Sequence, residues 1–227
     1  MSFRSPRMIL LALLLPLLAA GCGAKQVRDV QTSGFLGDYS GLKPGPEGYA
    51  ALLWYKPDIN LRVYDKILLD PVRVVLKGEA AQRGIEPHEL AELTDEYQAE
   101  LVKALTEHNG YALVAQPGRG VLRIRVAVTD VVPGNAVMGT LSSVNPVGLA
   151  VSGGIYAATG TQPYVGEAST EMEILDSPTG ERLAAMVDRR IGGKAPFRGT
   201  YDDARDAFAF WAERLRQRLD EGRAAPR

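Results

Sequence analysis

The chain has 227 residues and carries 26 lysines and arginines against 27 aspartates and glutamates, with two histidines and one cysteine. So even a balance gives no electrostatic footprint for nucleic acid, and a single cysteine can form no internal disulfide. The length suffices for one domain with a sizeable core and hardly for two.

Arg4 and Arg7 form a short basic segment ahead of the apolar run Met8 to Leu18. That run is too short to span a bilayer comfortably, and the order predicts a signal peptide over residues 1–22. Its removal leaves 24 basic against 27 acidic residues, a formal charge of −3. Ala19, Ala20 and Gly21 stand directly before Cys22, which resembles the lipobox of bacterial lipoproteins, whose cysteine is lipidated and becomes the mature N-terminus. The resemblance implies attachment to a membrane through lipidated Cys22. Gly23 in place of an aspartate implies sorting to the outer membrane, with the chain facing the periplasm. Acyl chains contribute about 0.8 kcal/mol per buried methylene, so a triacylated terminus is an effectively permanent anchor.

Residues 23–33 are polar and without apolar period, and predict a tether; residues 34–222 follow as a single α+β domain. Its first part, GFLGDYSGLKPGPEGYAALLWYKP, is rich in Gly and Pro and offers one short strand near Ala50 to Tyr55. Tyr39, Tyr49, Trp54 and Tyr55 predict residues that pin this covering segment to the core, with an exposed ligand-stacking set as the alternative. YDKILLDPVRVVL reads as one strand broken at Asp70-Pro71. A helix then begins at Pro87, with Leu90, Leu93, Tyr97, Leu101 and Leu105 on one face and a stop at Asn109-Gly110. After a short strand near Tyr111 to Ala115, VLRIRVAVTDVV sets Leu122, Ile124, Val126 and Val128 opposite Arg123, Arg125, Ala127 and Thr129. EASTEMEI alternates in the same way, with Glu167, Glu171 and Glu173 on its polar face. DSPTGE turns the chain back into ERLAAMVDRR, whose Arg182, Arg189 and Arg190 come near those glutamates. The last helix runs from Tyr201 to Glu221, with Gly222 as its terminator and Ala204, Phe208, Trp211, Leu215 and Leu219 as its stripe. Strands with one polar face and helices with one apolar stripe predict a two-layer sandwich, a mainly antiparallel sheet with two helices on one face.

The lipobox, GFLGDYSGLKPG, YDKILLDPV and LDSPTGERLAA together resemble the bacterial lipoprotein family known only as domain of unknown function 3313, over nearly the whole chain. The resemblance implies the envelope location and no activity, substrate or catalytic residue.

The residues offer little catalytic chemistry. Ser152 in AVSGG lacks the glycine spacing of a nucleophile elbow. His88 and His108 sit at opposite ends of one helix, about 30 Å apart at 1.5 Å per residue, and share no metal. No cofactor or metal site is expected. Asp58, Asp65, Asp70 and Asp130 near strand ends are the carboxylates a hydrolase would use, as the last alternative, although aspartate beside a turn ordinarily bonds to nearby backbone.

Val131 to Gly166 contains no charged residue, seven glycines and three prolines, among them Gly148, Gly153, Gly154 and Pro146. It reads as an insertion between two strands, either folded onto its own domain or serving an envelope partner, a second copy or the lipid surface. Met138, Val144, Val147, Leu149, Val151, Ile155 and Tyr156 are its candidate contact residues. The sequence thus predicts a non-catalytic, lipid-anchored binding or interaction protein, with an auxiliary subunit of an envelope transport system as the alternative.

Overall fold

The computed structural model describes residues 25–107, 110–134, 165–193 and 198–224. In chain order the elements are β1 (Lys25–Val27), β2 (Lys43–Pro44), β3 (Leu52–Tyr55), β4 (Lys66–Leu69), β5 (Arg73–Val74), α1 (Glu79–Gln82), α2 (Pro87–Thr106), β6 (Ala112–Leu113), β7 (Val121–Val132), β8 (Glu167–Asp176), β9 (Arg182–Ile191) and α3 (Asp202–Ala224). Among the described residues the nine strands form one mixed sheet, ordered β2-β3-β9-β8-β7-β4-β6, with β1 also on β9 and β5 on β7. The long pairings, β7 with β8 and β8 with β9, are antiparallel, and Met172 lies opposite both Val126 and Met186. The strands read as one, β4 and β5, split at Asp70-Pro71 and both run parallel to β7. A parallel pairing needs a long crossover, and α2 supplies it. Part of the segment read as a tether is in the sheet: Lys25 to Val27 pair with Ile191 to Arg189.

The two long helices lie on the same face. Leu93, Tyr97, Leu101 and Leu105 of α2 are buried with Ala204, Phe208, Trp211, Leu215 and Leu219 of α3 against Leu122, Ile124, Val126 and Val128. The rings of Tyr97 and Phe208 stack at 4.5 Å, and Trp211 sits 6.1 and 6.2 Å from them. Such aromatic contacts add to the area buried. α3 passes through Gly222, where the sequence predicts a stop, and ends at Ala224. The glycine serves packing instead: a Cβ there would collide with Leu61, and Arg62 Nε donates to the Arg223 carbonyl at 2.9 Å.

The opposite face of the sheet departs most from expectation. Its glutamates were expected at a polar surface, yet Glu167, Glu171 and Glu173 are all buried. The cover is residues 30–42, where Val30, Phe35, Leu36, Tyr39 and Leu42 pack on Leu52, Ala185 and Val187. Gly34 and Gly37 both take positive φ, 89° and 75°, and Gly37 N–H closes a turn on the Gly34 carbonyl at 3.2 Å. Glycine reaches that backbone region without steric penalty, so GFLG folds tightly enough to press Leu36 onto the sheet.

Candidate functional site

Three regions of the structure gather polar groups, the charged sheet face among them. Glu171 is fully buried and accepts from the Ser33 N–H at 2.5 Å and from the Tyr39 hydroxyl at 2.6 Å. Burial and the bond to this carboxylate raise the Tyr39 pKa. Glu173 is held by Arg125 and Arg182, Arg182 also donates to the carbonyls of Leu36 and Asp38, and Glu167 is held by Arg189. Arg190, grouped with these arginines by sequence, points to the other face. Strand alternation places 185, 187 and 189 on one side and 186, 188 and 190 on the other. Glu171 and, through Arg182, Glu173 thus hold the covering segment, while Glu167 is paired within the sheet.

Three of the four strand-end aspartates are likewise paired. Arg123 grips Asp70 through Nε at 2.9 Å and Nη2 at 2.7 Å, and Arg83 grips Asp130 at 3.0 and 3.1 Å. Asp70 pairs beside Ile124, so Asp130 is six residues farther along β7, about 20 Å at 3.3 Å per residue. The two carboxylates of a glycosidase stand within about 5–10 Å. Asp65 pairs with Lys66 at 3.0 Å, and Asp58 occupies a turn with φ of 56°. His88 is exposed on α2, and no cluster of metal-ligating side chains occurs among the described residues. Two sequence motifs do meet: the Tyr64 hydroxyl donates to Asp176 Oδ1 at 3.0 Å, while Asp176 Oδ2 accepts from the Thr179 hydroxyl at 2.6 Å inside the DSPTG turn. Burial and this carboxylate push the Tyr64 pKa up to about 12.

The roots of the uncharged insertion are fixed. The Gly134 N–H donates to the Thr200 carbonyl at 2.7 Å, and Gly166 N–H to Asp203 Oδ2 at 2.6 Å, in the first turn of α3. Arg198 Nε lies 2.9 Å from the other oxygen of Asp203. Burial raises the Asp203 pKa, against the opposing pull of the Gly166 N–H and Arg198. A Cβ on Gly192 would collide with this carboxylate. Cys22, Met138, Val144, Val147, Leu149, Val151, Ile155 and Tyr156 lie outside the described residues.

The third region is a cavity of about 460 Å³ on the helix side of the sheet, between β9 and the second half of α3. Its origin is geometric. Two helices packed 8–10 Å apart cover about four strands spaced roughly 4.8 Å, and the path from β2 to β6 holds seven. The helix-side surface of β9 and β3 is left to Leu53, Tyr55, Ala184 and Met186, with Met172 and Ile174 behind. Small-molecule sites of about 300–1,000 Å³ lined by apolar groups with a few polar ones are typical. The polar groups here are distinct in role. Asp188 is buried and saturated, accepting from Trp211 Nε1 at 2.7 Å, Ala51 N–H at 2.9 Å and Gln26 Nε2 at 2.8 Å. The rim is cationic: Arg190 lies 3.6 Å and Arg214 5.2 Å from the Phe210 ring centre, and Arg218 lies 3.6 Å from that of Tyr49. Burial lowers the Arg190 pKa despite Asp188, and the like charge of Arg214 adds to that effect.

Sequence reasoning missed this site because its lining runs from Gln26 to Leu219. One local signal was present: Phe210, Arg214 and Arg218 recur every fourth residue beside the apolar stripe of α3, a face that is aromatic and cationic rather than acidic.

Fold and site together define a small α+β domain, one sheet face sealed by charge, the other partly open over an apolar cavity. A family model described as "Protein of unknown function (DUF3313)" matches residues 31–215, and the chain belongs to that family. No curated protein matches the sequence. Solved structures of similar course include a PelC dodecamer from Paraburkholderia phytofirmans, with TM-score 0.38 and 10% identity over 71% of this chain and 93% of that one. A neuraminyllactose-binding hemagglutinin homolog from Helicobacter pylori gives 0.34 and 8% over 74% and 89%. A DUF4136 family protein from Bacteroides thetaiotaomicron gives 0.31 and 12% over 75% and 95%. None of these likenesses informs function.

Proposed function

We propose that this protein is a lipoprotein anchored through Cys22 to the periplasmic face of the outer membrane, and that its domain is a non-catalytic binding module. The observation that carries the binding reading is the preformed apolar cavity, in a frame whose strand-end and sheet carboxylates are tied up in ion pairs and backbone bonds. The anchoring reading rests on the signal peptide and the lipobox-like Ala19-Ala20-Gly21-Cys22. No helix among the described residues is long and apolar enough to cross a membrane. The uncharged insertion, leaving from the fixed roots at Gly134 and Gly166, is the surface assigned to an envelope partner.

Metabolic labelling with a clickable palmitate analogue, followed by density-gradient separation of the two membranes, tests the anchoring. The expected result is labelled protein in the outer-membrane fraction and loss of both label and membrane association in Cys22→Ala. Label retained by Cys22→Ala, or a wild-type chain confined to the inner membrane, would overturn it.

A further inference from the structure

The cavity between β9 and α3 combines an apolar interior with a rim of three arginines, and that pairing narrows what it can hold. Inside, Leu53, Met172, Ile174, Ala184 and Met186 present no hydrogen-bonding side chain, and the buried Asp188 already has three donors. An occupant that goes deep must therefore be apolar along its length, since an unsatisfied polar group there carries its full desolvation cost. At the mouth, Arg190 and Arg214 share the Phe210 ring, and Arg218 lies over Tyr49. Two of these positions have acids nearby: Glu221 bonds Arg218 at 2.5 Å, and Asp188 attracts Arg190 from within. Arg214 is bonded to the neutral Gln217 at 2.9 Å, and its buried Nε has no hydrogen-bond partner. Glu47 is the remaining acid of the lining. Like-charged guanidiniums gathered over one ring favour an anion between them, and a guanidinium meets a carboxylate through two parallel bonds.

We infer that the cavity binds a long-chain fatty acid, its single acyl chain lying between β9 and α3 and its carboxylate held by Arg190 and Arg214. This deepens the binding half of the proposed function and rests on it, while being independent of the anchor. A cavity of about 460 Å³ has room for one chain and a compact head, not for two chains. Each methylene transferred from water contributes about 0.8 kcal/mol, so the chain supplies affinity and the arginines supply the choice of head.

The test uses the full chain in isolated envelope vesicles. A fatty acid bearing a diazirine and an alkyne is added, the vesicles are irradiated, and adducts are mapped by mass spectrometry of peptides. The expected result is labelling confined to the peptides that carry residues 183–190 and 210–219. The methyl ester of the same probe and the Arg214→Glu variant should each label about tenfold less, the loss of one charge-assisted hydrogen bond. Ala184→Phe should abolish labelling while the thermal transition stays within a few degrees of wild type. The ester comparison needs no variant and stands even where a substitution fails to fold. Equal labelling by acid and ester would overturn the carboxylate assignment. Stronger competition by a lysophospholipid than by a free fatty acid would overturn the choice of ligand. A membrane-bound chain without adducts in these peptides would overturn the inference alone, leaving the anchoring to the fractionation experiment. Labelling that appears only after deletion of residues 135–164 would also overturn it, since the chain's own insertion would then be the occupant.

Discussion

The two faces of this sheet are covered by opposite chemistry. On one, α2 and α3 lay aromatic and aliphatic side chains over Leu122, Ile124 and Val126; on the other, an irregular segment is fastened to buried Glu171 and Glu173 through Arg182, a tyrosine hydroxyl and a backbone N–H. Apolar contact is tolerant of small shifts and contributes in proportion to area. A buried carboxylate requires each partner in place, because removing one leaves an uncompensated charge or donor. The helix face therefore supplies most of the stability, and the charged face supplies the register that holds GFLGDY in one position. The open cavity lies where the first solution runs out of helix.

The contrast can be broken first at its apolar side. Phe208→Ala removes a fully buried ring stacked on Tyr97 and should cost about 3–5 kcal/mol in urea unfolding, equally at low and high salt. A salt-dependent loss would mean that charge contributes to this face as well. Glu171→Ala comes next: it strands the Ser33 N–H and the Tyr39 hydroxyl and should cost about 1–3 kcal/mol. Hydrogen exchange should then quicken in residues 33–40 while α2 keeps its protection. Equal loosening of α2 would show that the two faces melt as one unit.

A smaller effect belongs to Asp203, whose folded pKa lies above its ordinary 3.8 because burial outweighs the Gly166 N–H and Arg198. A carboxyl raised on folding is a cost fully present above the folded pKa. That cost fades as pH falls and is gone below the unfolded value. Asp203→Asn, which keeps an acceptor for Gly166, should therefore be more stable than wild type near neutrality, with the advantage vanishing on acidification toward pH 3.8. Thermal melts across that window check it; an advantage that grows with acid would assign the larger role to Arg198. The smallest effect is expected at Arg205, paired with Glu96 between the helices at 2.7 Å with both side chains more than two-fifths exposed. Arg205→Ala should change stability by less than about 1 kcal/mol, since solvent and salt screen such pairs.

The sequence alone determined the long elements. The stripes of Tyr97 and Phe208, the alternation of Leu122 to Val128, the turn at Asp176 to Gly180 and the break at Asp70-Pro71 are all periodicities or local backbone preferences, which neighbours along the chain set by themselves. It also determined the family, through motifs whose local geometry is now visible in Gly34, Gly37 and Asp176. What only the tertiary structure decided is what lies over each face. Glu171 alternates like any surface glutamate until Ser33 and Tyr39, more than 130 residues away, close over it, and Gly222 reads as a helix stop until Leu61 needs its space. The arginine-rimmed cavity is likewise absent from every local window. It exists because two helices are narrower than the sheet they cover, and that mismatch is a property of the assembled layers.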